Sequence, residues 1–239
     1  MPYVKKVVRA GKVIETKKCW MPMLGNHKKR EKQAKLTPEK QKMVNERKSV
    51  DTLTWTLDEN FGLGDTHTVL TYRREYTPSP EKARKDLEKF LRALRKWCRE
   101  HGAELRYITV TEYKRARIHH HIVIPEVPAK VLCALWPHGR PHSTPLDESG
   151  DYRKLAEYLV KETGTSAEED GTRKRRWNQS RNLRPPKVEY VTVQAKSWRK
   201  DPKPIKGYYI DKGSIRAGVC DVTGYPYQFY TMIQISRRD

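Results

Sequence analysis

The chain has 239 residues, which allows one or two domains, and its 50 Lys and Arg against 29 Asp and Glu give a net charge of +21. Basic residues recur along the whole length, so the charge points to a polyanionic partner, most directly nucleic acid, and away from a membrane: no apolar run approaches the ~20 residues of a spanning helix, and no signal-like apolar core follows the first lysines. The cysteines Cys19, Cys98, Cys133 and Cys220 stand apart without a Cys-x-x-Cys pair, which excludes a zinc knuckle or disulfide framework and suits a reducing cytoplasm.

Residues 1–36 are lysine-rich, and Lys28-Lys29-Arg30-Glu31-Lys32 is mostly charge. Val4, Val7, Val8, Val13 and Ile14 suit a short strand at most. The stretch reads as a basic arm that adds backbone affinity for nucleic acid, or as a solvated extension. Thr37-Pro38-Glu39 predicts a helix start, with a capping hydroxyl, a first-turn proline and an acid at the positive end of the dipole. That helix is expected to reach about Ser49, and a second helical piece with Leu53 and Leu57 to stop at Asn60-Phe61-Gly62. A boundary is placed here, with 1–62 a partly helical extension and 63–239 the main domain.

Thr66-His67-Thr68-Val69-Leu70-Thr71-Tyr72 predicts a strand, and Ser79-Pro80-Glu81 opens a helix ending near Gly102. Ala83, Leu87, Phe90, Leu91, Leu94, Trp97 and Cys98 follow the helical period and form a core stripe. Two alternating stretches follow, Leu105–Tyr113 and Arg117–Ile124, joined by the hairpin-length Lys114-Arg115-Ala116. Alternation places Arg106, Ile108, Val110 and Glu112 on one face of the first strand. In the second, His119 and His121 share a face about 6.5–7 Å apart, while His120 points the other way with Ile118, Ile122 and Ile124. Two imidazoles beside a carboxylate suit a divalent ion with positions left open for substrate. Strand, helix, strand, strand is the opening of an α+β, ferredoxin-like or RRM-like sandwich, with helices on one face of a central antiparallel sheet.

Residues 125–148 read as a connection with one short helix at 128–135; His138 and His142 fall in it. Asp151–Glu162 predicts a helix whose stripe is Tyr152, Leu155, Ala156 and Leu159. Tyr158 lies off that stripe with Lys161 one turn on, where an ammonium can lower the phenol's pKa or hold a phosphate. Residues 164–181 predict a mobile basic loop, with Arg173, Lys174, Arg175, Arg176 and Arg181 for the backbone and Trp177 to stack on a base. Strands are expected at 187–196, Lys203–Ile210 and Tyr227–Ile235.

His119-His120-His121 on a strand, the upstream Val69-Leu70-Thr71-Tyr72 strand and the later Tyr158-x-x-Lys161 helix together resemble the motif set of HUH endonucleases. More narrowly the chain resembles single-tyrosine rolling-circle replication initiators of plasmids and phages. Asn60-Phe61-Gly62, Thr111-Glu112, Ala156–Glu162 and Ser180-Arg181-Asn182-Leu183 look like the versions found in Firmicutes. The family's middle position is usually a bulky hydrophobic residue, and here it is His120, which strand parity assigns to the packed side.

The resemblance implies that Glu112, His119 and His121 hold Mg2+ or Mn2+, and that Tyr158, assisted by Lys161, nicks single-stranded or stem-loop origin DNA through a 5′-phosphotyrosine link. It implies a bacterial cytoplasmic setting with a host helicase and polymerase as partners, since no Gly-x-x-x-x-Gly-Lys-Ser/Thr is present to supply an ATPase. A transposase or relaxase shares the same chemistry. A non-catalytic RRM-like binding module is the reading of another class, and it requires exposed aromatics on central strands.

Overall fold

The computed structural model describes residues 3–20, 37–114, 117–164, 176–194, 198–220 and 224–235. In chain order the elements are strands β1 (Tyr3–Ala10) and β2 (Val13–Trp20), helix α1 (Pro38–Asn60), strand β3 (Asp65–Thr71) and helix α2 (Pro80–Glu100). Strands β4 (Ile108–Lys114) and β5 (Arg117–Pro125), helix α3 (Ala129–Leu135), strand β6 (Pro141–Pro145) and helix α4 (Arg153–Gly164) follow. The chain closes with strands β7 (Asn178–Gln179), β8 (Lys187–Val193), β9 (Tyr208–Val219) and β10 (Pro226–Gln234). Among the described residues, no helix is long and apolar enough to cross a membrane.

The chain divides into two compact units, and not at residue 62 as the sequence suggests. One comprises Met1–Lys48, Ser149–Asp151 and Pro185–Asp239; the other comprises Ser49–Glu148 and Tyr152–Arg184. The first unit is built on an antiparallel sheet of order β8-β1-β2-β10-β9. Residues 3–20, expected to be mostly a charged arm, are its central hairpin, turned by Gly11 at φ 51° between the paired Ala10 and Val13. Val7, Ile14, Tyr230 and Met232 cluster on one face. The run Lys28–Lys32, on which the arm reading also rested, lies outside the described residues.

The second unit holds an antiparallel sheet of order β6-β3-β5-β4-β7 with helices on both faces, where the sequence suggests one. Helix α2 has the predicted stripe, capped by Ser79 Oγ, which accepts the Lys82 amide at 3.2 Å. Ala83, Leu87, Phe90, Leu91, Leu94 and Cys98 are buried, and the last five join a cluster that includes Leu70, Ile122, Ile124 and Trp136. Truncating a wholly buried member such as Leu94 to Ala costs about 2–5 kcal/mol.

On the opposite face Ile108, Val110 and Val123 meet Val50, Leu53, Leu57 and Phe61 of the α1 end and Tyr152, Ala156, Leu159 and Val160. Helix α1 is one element rather than two, because neither Gly nor Pro interrupts residues 39–60. Two of its buried acids fix the start of α4: Asp58 accepts the Tyr152 amide at 2.9 Å, and Asp51 pairs with Arg153 at 3.0 Å. Negative charge at the amino end of α4 also complements its dipole.

The Asn60-Phe61-Gly62 and Ser180–Leu183 motifs are joined structurally. Asn60 Oδ1 accepts the Arg184 amide at 2.8 Å and its Nδ2 donates to the Arg184 carbonyl at 2.9 Å. Ser180 Oγ accepts the Tyr107 amide at 3.0 Å, and Asn182 donates to the Leu105 carbonyl at 3.2 Å. These bonds hold the chain after β7 along the edge of β4.

Strand β6 falls in the proline-rich connection, its two prolines at the ends of an edge strand where no ladder donor is lost. The turn before it needs Gly139, since a Cβ there would lie 1.9 Å from the Thr71 carbonyl oxygen. Strand β9, expected at 203–210, runs instead from 208 to 219, β8 ends three residues before the expected 196, and β10 lies within one residue of expectation.

Candidate active site

Register brings the site together. Strand β5 pairs with β4 so that Glu112 faces His119 and Val110 faces His121. On its other side β5 pairs with β3, which sets Val69 against His121 and His67 against Val123. Glu112, His119, His121 and His67 therefore share one face. His142 of β6 pairs with Val69 and joins them at an exposed rim.

The contacts run as a chain. His67 Nε2 lies 3.3 Å from His121 Nδ1, and His121 Nε2 lies 3.3 Å from Glu112 Oε2. His119 Nδ1 is 3.9 Å from the same carboxylate oxygen. The rings of His67 and His121 stack at 5.4 Å with 13° between planes. Burial first, then the fields of His121 and His142, push His67 down to about 4, so it is neutral near pH 7. A neutral His67 that donates through Nε2 leaves His121 free to donate to Glu112, and every contact in the chain is then satisfied.

Tyr158 reaches this cluster from α4. Its ring lies 5.4 Å from that of His121 and 6.3 Å from that of His67, edge-on to both, and the residue is 44% exposed. Tyr152, immediately before the same helix, is buried and donates its hydroxyl to the Asp147 carbonyl at 2.8 Å. Lys161 is exposed one turn beyond Tyr158.

His120 points to the opposite face, as parity requires, and is wholly buried. Thr111 Oγ1 is 2.9 Å from its Nδ1 and the Tyr72 hydroxyl 3.0 Å from its Nε2. Burial above all, with the field of His121, holds it down to about 3. It is a neutral packing residue.

The donor chemistry of Glu112, His119 and His121 fits a divalent ion of the Mg2+ or Mn2+ kind. Among the described residues, however, no three His, Cys, Asp or Glu groups stand ready as a metal centre. Donors sharing an octahedral ion at about 2.1 Å are about 3 Å apart; the His121–Glu112 separation of 3.3 Å is close to this, and the His119–Glu112 separation of 3.9 Å is wider. His119 is the looser member, with a side chain 35% exposed against 2% for His121.

Beside His119 opens a cleft of about 340 Å3 lined by Thr71, Tyr72, Arg73, Arg74, Tyr76, Thr77, Pro78, Arg117 and Ile118. Its three arginines supply positive charge next to the cluster. Residues 65–163 match the family model for replication-associated protein ORF2/G2P. That stretch is similar to replication-associated proteins. The likeness supports replication initiation as the process served, and the matched span carries His67, Glu112, His119, His121, Tyr158 and Lys161. No curated protein and no solved structure matches the chain.

Arg173, Lys174 and Arg175 lie outside the described residues. Arg176 is half-buried and Arg181 exposed. Trp177 packs partly against the core and donates to Gln179 Oε1 at 3.1 Å. Sequence reasoning missed His67, Arg73 and Arg74. The first alternates correctly with Val69 in a predicted strand, a usable signal once the pairing of β3 with β5 is known.

Proposed function

We propose that the chain is a metal-dependent DNA strand transferase that nicks and rejoins single-stranded or stem-loop origin DNA to start rolling-circle replication. The observation that carries this reading is the half-exposed Tyr158 phenol standing edge-on to the His67–His121–Glu112 chain at 5.4 Å from His121. Glu112, His119 and His121 would hold the divalent ion, which when bound supplies positive charge to a non-bridging oxygen of the scissile phosphate. His67 is a positioning residue: its stacked ring and hydrogen bond fix the orientation of His121.

In the forward step the Tyr158 oxygen bonds to phosphorus, the P–O3′ bond breaks, and the phenolic proton ends on the departing 3′-hydroxyl. The 5′ end stays linked to Tyr158 as a phosphodiester, so the bond count is conserved and the reverse step rejoins strands. Lys161 places positive charge one turn from the phenol. Arg73, Arg74 and Arg117 line the adjoining cleft and suit the phosphates flanking the scissile one.

The test is an origin-like stem-loop oligonucleotide incubated with Mn2+ and run on a denaturing gel. Tyr158→Phe is expected to abolish the covalent adduct while oligonucleotide binding stays nearly intact. An adduct that survives this substitution would overturn the assignment, and the buried, hydrogen-bonded Tyr152 offers no ready substitute.

A further inference from the structure

The first unit's sheet presents a row of side chains that the chemistry at Tyr158 does not use. Strand register aligns Tyr190 with Lys6, Lys6 with Lys17, Lys17 with Phe229, and Phe229 with Arg216. The row thus crosses all five strands on one face, about 19 Å at the usual strand spacing. Each of its two lysines sits beside a ring: Lys6 Nζ lies 5.8 Å from the Tyr190 ring centre, and Lys17 Nζ lies 5.8 Å from that of Phe229. Tyr227 extends it by stacking on Phe229 at 5.1 Å with 28° between planes.

Tyr190 is 52% exposed, Arg216 is exposed, and Lys6, Tyr227 and Phe229 are half-buried. A sheet stabilised only for its own sake would not set Lys6 directly opposite Lys17, since like charges across a strand pair are destabilising. Glu15 offsets part of this through its 2.9 Å pair with Lys17. The remaining charge is of the sign that a polyanion relieves, and the chain as a whole carries +21.

We propose that this face is a platform for single-stranded DNA, on which bases stack against Tyr190 and the Tyr227–Phe229 pair while Lys6, Lys17 and Arg216 meet phosphates. Flat rings interleaved with cations on a sheet suit unpaired bases, whose faces are open, rather than a closed duplex. The choice of DNA follows the replication-associated match, and the platform itself is independent of any covalent step.

The experiment uses the full chain carrying Tyr158→Phe, in EDTA, so that success or failure of strand transfer has no bearing on the readout. Anisotropy of a labelled oligothymidine of about 20 nucleotides, titrated at several salt concentrations, gives affinity and salt slope. Tyr190→Ser is expected to weaken binding about tenfold or more, and Tyr190→Phe to retain it, because the ring does the stacking. Lys6→Gln with Arg216→Gln is expected to lower the log–log salt slope by about 1.4, or 0.7 per lost phosphate contact on a single strand. Removing two exposed cations on α2, Lys89→Gln with Arg92→Gln, serves as the control for overall charge and is expected to leave the slope unchanged. Binding within twofold of the parent for both Tyr190→Ser and the Lys6/Arg216 variant would overturn the proposal. So would equal slopes for the row variant and the α2 control, a Tyr190→Phe loss as large as that of Tyr190→Ser, or tighter binding of the matching duplex.

Discussion

His120 and His121 are neighbours on β5 and nearly equal in burial, at 0% and 3% exposed, yet their surroundings are opposite. His120 has both nitrogens engaged by Thr111 and Tyr72 and its ring enclosed by Tyr72 and Trp136. His121 is joined to an imidazole and a carboxylate, those of His67 and Glu112, and faces the Tyr158 ring. Burial alone therefore does not separate the two histidines. What separates them is whether the polar atoms end in closed backbone and hydroxyl partners or in a cluster that opens to solvent.

The largest effect expected on this comparison is functional. His121→Ala or Glu112→Ala should lower divalent-dependent cleavage of a stem-loop oligonucleotide by at least about a hundredfold, with His119→Ala close behind. His120→Ala should act on stability instead. It leaves a cavity beside Trp136 and strands the Thr111 and Tyr72 hydroxyls, for a cost of about 3 kcal/mol in chemical denaturation. If His120→Ala abolished cleavage in a protein that melts normally, the division between the two faces would be wrong.

His67→Ala tests the missed member and should fall between these extremes. Losing the stacked ring and its hydrogen bond is expected to weaken the apparent divalent-ion affinity about 10- to 100-fold while saturating Mn2+ restores much of the rate. A loss that no Mn2+ concentration recovers would make His67 more than a positioning group. A smaller effect is expected at the base of α4. Asp58→Ala removes the acceptor of the Tyr152 amide and should cost about 1–2 kcal/mol.

Strand parity made much of this site legible, because Glu112, His119 and His121 fall on one face by counting alone, and the apolar stripe of α2 was equally open to reading. The rest depended on pairings between distant segments. His67 lies 54 positions before His121, and only the β3–β5 register puts them side by side. The hairpin β1–β2 was obscured because Lys5-Lys6 and Lys17-Lys18 put charge on both faces of each strand, which breaks the alternation that marks a half-buried strand. Its partners β8 and β10 begin at residues 187 and 226, so nothing local could reveal the sheet. The second helical layer escaped notice for a related reason: the end of α1 buries Asp51, Thr54, Thr56, Asp58 and Asn60, which look like surface residues until their partners are known.

The smallest effect expected is a pH dependence carried by Tyr152, just before α4. Burial, with the fields of Asp147, Asp58 and Asp65, pushes the Tyr152 phenol up to about 12 from an ordinary 10. Between those values the unfolded chain has released the proton and the folded chain keeps it, so the unfolded state binds fewer protons and stability falls as pH rises through the window. Below pH 10 both states are protonated and the group adds no slope. Tyr152→Phe removes this contribution along with the hydroxyl bond to the Asp147 carbonyl, a loss of about 1 kcal/mol at pH 8. Its urea midpoint should then drop less steeply from pH 9 to pH 11 than that of the parent. Parallel curves for Tyr152→Phe and the parent would mean that this phenol titrates alike in both states, and that the buried site beside Asp147 does not hold its proton.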